Sequence, residues 1–230
     1  MNPSAAVWAA SIGAVLVLLA VDLYVSARRS SESLQRSVIT SSLWIFVAVV
    51  FGVGVLFWYG PEWGAQYFAG YVTEKALSVD NLFVFAVVLG ALGVAEGDRP
   101  KVLRYGIAGA LVARAGLIFA GVGLLEHFAW ASYVLGGLVL ATGLRMVAGR
   151  RRGEGTAGPA PRWLARVRPA SLLVAVGMLE AVDVAFALDS VPAVLAITRV
   201  PYLAFMSNAF AVVGLRSLYF VLERALVRLR

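Results

Sequence analysis

The chain has 230 residues, of which 61% are apolar and only 14% charged, and its mean hydropathy is +0.85. A soluble globular domain averages about 45–50% apolar and about 25% charged, so one water-surrounded core cannot bury this excess, and the composition describes a membrane protein. The absence of cysteine excludes disulfides, thiolate metal sites and thiol redox motifs, and the single histidine, His127, excludes a multi-histidine zinc or copper site. The formal charge of +7 raises the question of which loops hold the arginines, not of nucleic-acid binding.

The apolar runs predict a single all-α, polytopic domain, a membrane helix bundle of about seven transmembrane helices: Ala5 to Val25, Ile39 to Tyr59, Tyr67 to Leu92, Val102 to Leu125, Phe128 to Val147, Ala170 to Thr198 and Tyr202 to Leu222. The first run lacks a basic leading region and outlasts the apolar stretch of a cleaved signal peptide, so it is expected to be a true span. Arg28, Arg29 and Arg36 follow the first span, and Arg99 and Lys101 follow the third. Arg150, Arg151, Arg152, Arg162, Arg166 and Arg168 follow the fifth, and Arg224, Arg228 and Arg230 the last. The remaining connections hold Glu62, then Glu126 with His127, then the lone Arg199. Because basic loops stay on the cytoplasmic side, this pattern predicts an N-out, C-in topology. The Gly-, Pro- and Arg-rich stretch from Gly149 to Pro161 reads as the flexible joint. It lies within a basic cytoplasmic loop, 149–168, between halves of about 37–148 and 169–230.

A charged side chain at the centre of a span costs about 2.5–3.5 kcal/mol on insertion scales, so each one is a functional candidate. The third span carries Glu74, Lys75 and Asp80, and the sixth carries Glu180, Asp183 and Asp189. The segment from Glu74 to Asn81 and the segment from Asp183 to Ser190 share one pattern: an acid, five residues, an aspartate, then a small hydrogen-bonding side chain. Arg114-Ala-Gly-Leu-Ile-Phe is echoed by Arg216-Ser-Leu-Tyr-Phe in the final span. In the predicted topology the third and sixth spans run in opposite directions, which is the inverted internal repeat of many secondary transporters, with the site near the midplane. Pro192, having no N–H, frees the carbonyl of Leu188 beside Asp189, so a helix broken at the carboxylates is expected.

Not every polar residue needs a functional reading. Glu180 alone fits a protonated or salt-bridged core acid equally well, and Asp22, near the cytoplasmic end of its helix, can snorkel to the interface. Both are secondary candidates for the site. His127 is expected to be solvated, and Trp44, Trp58, Trp63 and Trp130 have the placement of interfacial aromatic belts.

Carboxylate, amide and hydroxyl oxygens form a hard-ligand set suited to magnesium, calcium or manganese, whereas zinc and copper recruit His or Cys. Five intramembrane acids face three bases, Lys75, Arg114 and Arg216, and one divalent cation neutralises the remainder. The chain has no glycine-rich phosphate loop, no zincin motif and no intramembrane Ser–His pair. Its aspartates lack the Gly-Asp context of an intramembrane aspartyl protease, so no enzymatic activity and no bound cofactor are expected.

The segments Glu74-Lys-Ala-Leu-Ser-Val-Asp-Asn-Leu-Phe-Val-Phe85, Leu188-Asp-Ser-Val-Pro-Ala-Val-Leu-Ala-Ile-Thr198 and Ser207-Asn-Ala-Phe-Ala-Val-Val-Gly-Leu-Arg-Ser-Leu-Tyr-Phe220 closely resemble the TerC/Alx family of integral membrane proteins, over most of the chain from Leu43 onward. The resemblance implies a transporter of the broader LysE-like superfamily, with members linked to manganese export and, by name, to tellurium resistance. Carried over by position, it implies an ion-binding set of Glu74, Asp80, Asn81, Asp183, Asp189, Ser190 and Asn208. Arg216, with its repeat counterpart Arg114, would be the buried counter-charge. Many relatives continue past the Tyr-Phe motif into further helices, whereas this sequence ends at Arg230.

Two functions therefore stand open. One is a secondary exporter of divalent cations, manganese first, in the bacterial cytoplasmic membrane, with the lipid bilayer and the metal ion as partners and a homo-oligomer left open. The other is a membrane scaffold or assembly factor in a metal or tellurite stress complex, docking through Arg150 to Arg168.

Overall fold

A computed structural model describes residues 3–27, 34–128 and 171–228, with a few isolated positions between 130 and 140. The described residues form seven helices: α1 (Ala5–Ala27), α2 (Leu34–Tyr59), α3 (Pro61–Ala91), α4 (Arg99–His127), α5 (Leu172–Ile197), α6 (Pro201–Val213) and α7 (Leu215–Arg228). Most of the span predicted from Phe128 to Val147, and all of the basic loop 149–168, lie outside the described residues.

Local chemistry sets the helix ends. α2 and α3 are separated by Gly60 alone, which takes a φ of 105° that L side chains rarely adopt, and Pro61 then supplies the preset φ of a first helical residue. α3 ends in a Schellman motif. Gly93 adopts φ 67°, its N–H donates to the Gly90 carbonyl at 3.1 Å, and that of Val94 reaches back to Leu89 at 3.1 Å. α5 opens on Ser171, whose Oγ accepts from the Val174 N–H at 3.3 Å.

Among the described residues α1, α2 and α4 are long and apolar enough to cross a membrane, and α6 and α7, bent by 46°, pass the same test when taken together. α3 and α5 have the length, with 31 and 26 residues, but each carries three charged residues in its middle. Phe57 (80% exposed), Val112 (73%) and Leu173 (81%) face outward, as a lipid-facing surface requires and a water-facing one rarely does.

α6 is the centre of the bundle, with every residue from Tyr202 to Val213 buried. α3 packs against α5 and α6, and α4 against α5. At one end of the bundle Trp8 of α1 meets Tyr202 of α6 edge-on, with ring centroids 5.0 Å apart, and Ser11 shares a 2.6 Å hydrogen bond with the Tyr202 hydroxyl. At the other end Arg99, at the start of α4, forms an ion pair with Glu223 of α7.

Three sequence-based expectations are corrected. α5 runs unbroken through Pro192, because one missing N–H removes a single ladder bond and a helix packed on its neighbours absorbs that loss. The break falls instead at Gly214, where the predicted last span divides into α6 and α7. Trp44 is not an interfacial belt residue. It is 6% exposed and its indole Nε1 donates to Asp22 Oδ1 at 3.3 Å, so Asp22, itself 8% exposed, is held inside the bundle and does not snorkel. Trp58 and Trp130 are outward-facing, as expected.

Candidate functional site

The interior holds a carboxylate–guanidinium–carboxylate cluster drawn from three helices. Arg114 of α4 and Glu74 of α3 are fully buried, and Asp183 of α5 is 2% exposed. Arg114 donates from Nε to Asp183 Oδ2 at 3.0 Å and from Nη2 to Oδ1 at 2.8 Å, the parallel two-bond geometry for which a planar guanidinium is suited. Its third nitrogen, Nη1, makes an ion pair with Glu74 Oε1. With all three groups ionised, the cluster carries one negative charge in excess.

Helical geometry explains which predicted residues join this cluster. On α3, Tyr71, Glu74, Ser78 and Asn81 recur at three- and four-residue intervals, so they share one face; all four are buried. On α5 the same spacing links Asp183 with Ala187, Ser190 and Val194, all buried. Asp189, six residues beyond Asp183, is rotated by about 120° from it and lies on the exposed side of α5. The side chains of Asp80 and Arg216 lie outside the described residues. Asn208 of α6 is 1% exposed, and its Nδ2 has no partner.

The secondary candidates stand apart from the cluster. Asp22 is engaged with Trp44. Glu180, one turn before Asp183, packs into a notch on α4 at Gly106 and Gly109, where a Cβ on Gly109 would overlap its carboxylate. Among the described residues, no group of three or more His, Cys, Asp or Glu side chains converges closely enough to hold a metal ion. Arg114 already stands between the two carboxylates.

The spacing argument left three features unplaced. Tyr71 and Ser78 were overlooked because hydroxyls carry no charge and do not stand out against an apolar helix; the three- and four-residue intervals about Glu74 were the available signal. Lys75 donates its ammonium to the Ala211 carbonyl at 3.2 Å, near the helix break. A Cβ at Gly214 would lie 3.1 Å from Lys75 Nζ and 3.2 Å from Trp44 Cβ, so the ammonium and the indole close on the break because residue 214 has no side chain.

A helical bundle with lipid-facing apolar surfaces and a fully buried ionic cluster defines an integral membrane protein of the polytopic α-helical class. Residues 59–230 match the TerC family of integral membrane proteins, and the chain belongs to that family. It is 39% identical over 244 residues to an uncharacterized membrane protein of Myxococcus xanthus, covering 96% of this chain and 76% of that one. It is 36% identical over 256 residues to a membrane protein of Mycobacterium tuberculosis, covering 100% of this chain and 64% of that one. With the Alx protein of Salmonella typhi, whose name proposes a membrane-bound redox modulator, it shares 33% identity over 248 residues, covering 94% and 77%. The chain thus spans from 64% to 77% of the length of these relatives. No solved structure matches it.

Proposed function

We propose that this protein is a secondary transporter that exports hard divalent cations, manganese first, across the cytoplasmic membrane, with the basic loops inside. The observation that carries the reading is that Glu74 and Asp183, both buried, converge from α3 and α5 on the single guanidinium of Arg114. Asp183 accepts two hydrogen bonds from Arg114, and the fully buried Glu74 is ion-paired to its remaining nitrogen. Two buried carboxylates share one fixed positive charge, and buried charge is costly unless it is paired.

In this mechanism Arg114 is the resident counter-charge and the metal ion is its competitor. Arriving cargo takes Glu74 oxygens, and Asp183 keeps the guanidinium from being left unpaired. Acid, hydroxyl and amide oxygens suit a hard cation. The acids that open the two repeated motifs, Glu74 and Asp183, meet on one guanidinium, as expected if the two halves rock about a shared midplane site. The chain has no cysteine, so a role in redox balance, as the Alx name proposes for that relative, would reach this chain through its ion traffic and not through thiol exchange.

Manganese flux into proteoliposomes tests the reading. The wild type should carry manganese and Glu74→Gln should not, at equal incorporation. An inactive wild type, or equal flux in both, would return the protein to the scaffold reading.

A further inference from the structure

The α3 face that bears Glu74 carries more oxygen than packing explains. Tyr71 lies one turn to one side of Glu74 and Ser78 one turn to the other, so both are its neighbours on the helix surface. Tyr71 is 6% exposed and Ser78 is fully buried, and neither hydroxyl has a hydrogen-bond partner.

Nearby groups show what a structural role looks like here. Tyr67, one turn beyond Tyr71 on the same face, donates its hydroxyl to the Ala48 carbonyl at 3.1 Å. Ser207, another buried helical serine, donates back to the Ala204 carbonyl at 3.1 Å, the usual way such a hydroxyl is satisfied inside a helix. Ser78 has the Glu74 carbonyl four residues behind it and makes no such bond. Two of the helices packed against α3 add further unpartnered buried groups, Ser190 Oγ from α5 and Asn208 Nδ2 from α6. Native interiors leave few polar atoms unpaired, and each exception calls for a reason.

We propose that Tyr71 and Ser78 are cargo-path residues: their hydroxyl oxygens flank Glu74 and replace water around a hard divalent cation as it moves along α3. This rests on the transport reading above and adds to it the groups that strip and pass the ion. Tyr71, Glu74 and Ser78 span seven residues, about 10 Å of helix axis, so a cation at the carboxylate has an oxygen donor ahead of it and one behind. Gly70 keeps this part of α3 close to α6, since a Cβ there would lie 2.9 Å from Ser207 Oγ.

Two sets of variants test the assignment, with manganese as the probe in proteoliposomes and in thermal melting. Tyr71→Phe and Ser78→Ala each remove an oxygen that has no partner, so neither gives up a hydrogen bond. Both should melt at or above the wild-type temperature, while the manganese concentration for half-maximal flux rises roughly tenfold. Ser78→Cys provides a readout that a packing role would not move. A thiolate prefers zinc and the chain has no cysteine of its own, so zinc should block manganese flux at concentrations at least tenfold lower than in wild type. Wild-type half-saturation in Tyr71→Phe and Ser78→Ala, or unchanged zinc sensitivity in Ser78→Cys, would overturn the assignment while leaving Glu74 in place. A wild type that neither carries manganese nor is stabilised by it would overturn the transport reading itself.

Discussion

Arg114 and Asp183 are joined across α4 and α5 by two hydrogen bonds of 2.8 and 3.0 Å inside a bundle that excludes water from both groups. Glu74 completes the charge distribution from α3. Removing the guanidinium would leave two carboxylates uncompensated at membrane depth. Breaking a buried pair from one side costs about 3–5 kcal/mol, so Arg114→Ala should prevent stable insertion or lower the melting temperature more than any single acid-to-amide change. The combined variant Arg114→Met, Glu74→Gln, Asp183→Asn removes all three charges together and should recover much of that loss. Thermal melting of purified protein compares the two, and equal destabilisation would show that charge pairing is not what stabilises the cluster.

The Asp22–Trp44 contact ties α1 to α2 away from the cluster. A hydrogen bond to a charged acceptor contributes about 1.5–3 kcal/mol, so Trp44→Phe should lower the melting temperature and leave the manganese dependence of flux unchanged. A shift in half-saturation would instead join this contact to the transport path.

The helix break expected at Pro192 falls instead at Gly214. At Gly214 a Cβ would press on Trp44 and Lys75, and forcing extra volume into a packed core costs about 1–3 kcal/mol. Gly214→Ala should therefore be clearly destabilising. Pro192→Ala restores an N–H to an already continuous helix and should perturb melting less. The reverse order would place the functional break in α5.

The sequence shows the all-helical class and the order of the described helices, because lipid demands long apolar segments with internally satisfied backbones. It also shows which charges lie within apolar helices, where insertion makes each one costly. What it conceals is rotation about the helix axis. Asp183 and Asp189 look equivalent as letters in a repeated motif, yet six residues separate them by about 120°, and Ser190 turns inward while Asp189 does not. Trp44 was misassigned for a related reason: its place near a span end fits a belt residue, and only packing reveals that it faces Asp22. Arg114 emerged from the repeat alone, but its pairing with both motif-leading acids needed three-dimensional contact.

Sidedness is open to direct measurement because the chain contains no cysteine. Glu62 and Gly97 are both exposed, and a Cβ at Gly97 would meet nothing within 4 Å. Glu62→Cys should react with an impermeant maleimide applied from outside the cell, and Gly97→Cys only after the membrane is opened. Labelling of both from outside would contradict the N-out, C-in arrangement and the inverted repeat built on it.

The geometry also separates the two motif acids whose side chains are described on α5 from the one on α3. If cargo competes with Arg114 for Glu74, Glu74→Gln should abolish manganese stabilisation while the protein still folds, because the amide keeps the volume of the acid. Asp183→Asn should act more on folding, since it replaces one of the two oxygens that accept from Arg114 with an NH2 donor facing the guanidinium. Asp189→Asn, on the exposed side of α5, should leave manganese stabilisation within about twofold of wild type, a change of less than about 0.5 kcal/mol. In wild type, stabilisation should weaken on acidification, because a carboxylate must be deprotonated to bind a metal, and copper should protect no better than non-specific binding allows. Melting curves across manganese concentrations, at two pH values and for all three variants, decide the matter. Loss of the manganese response in Asp189→Asn with its retention in Glu74→Gln would move the site away from Arg114 and toward the exposed face of α5.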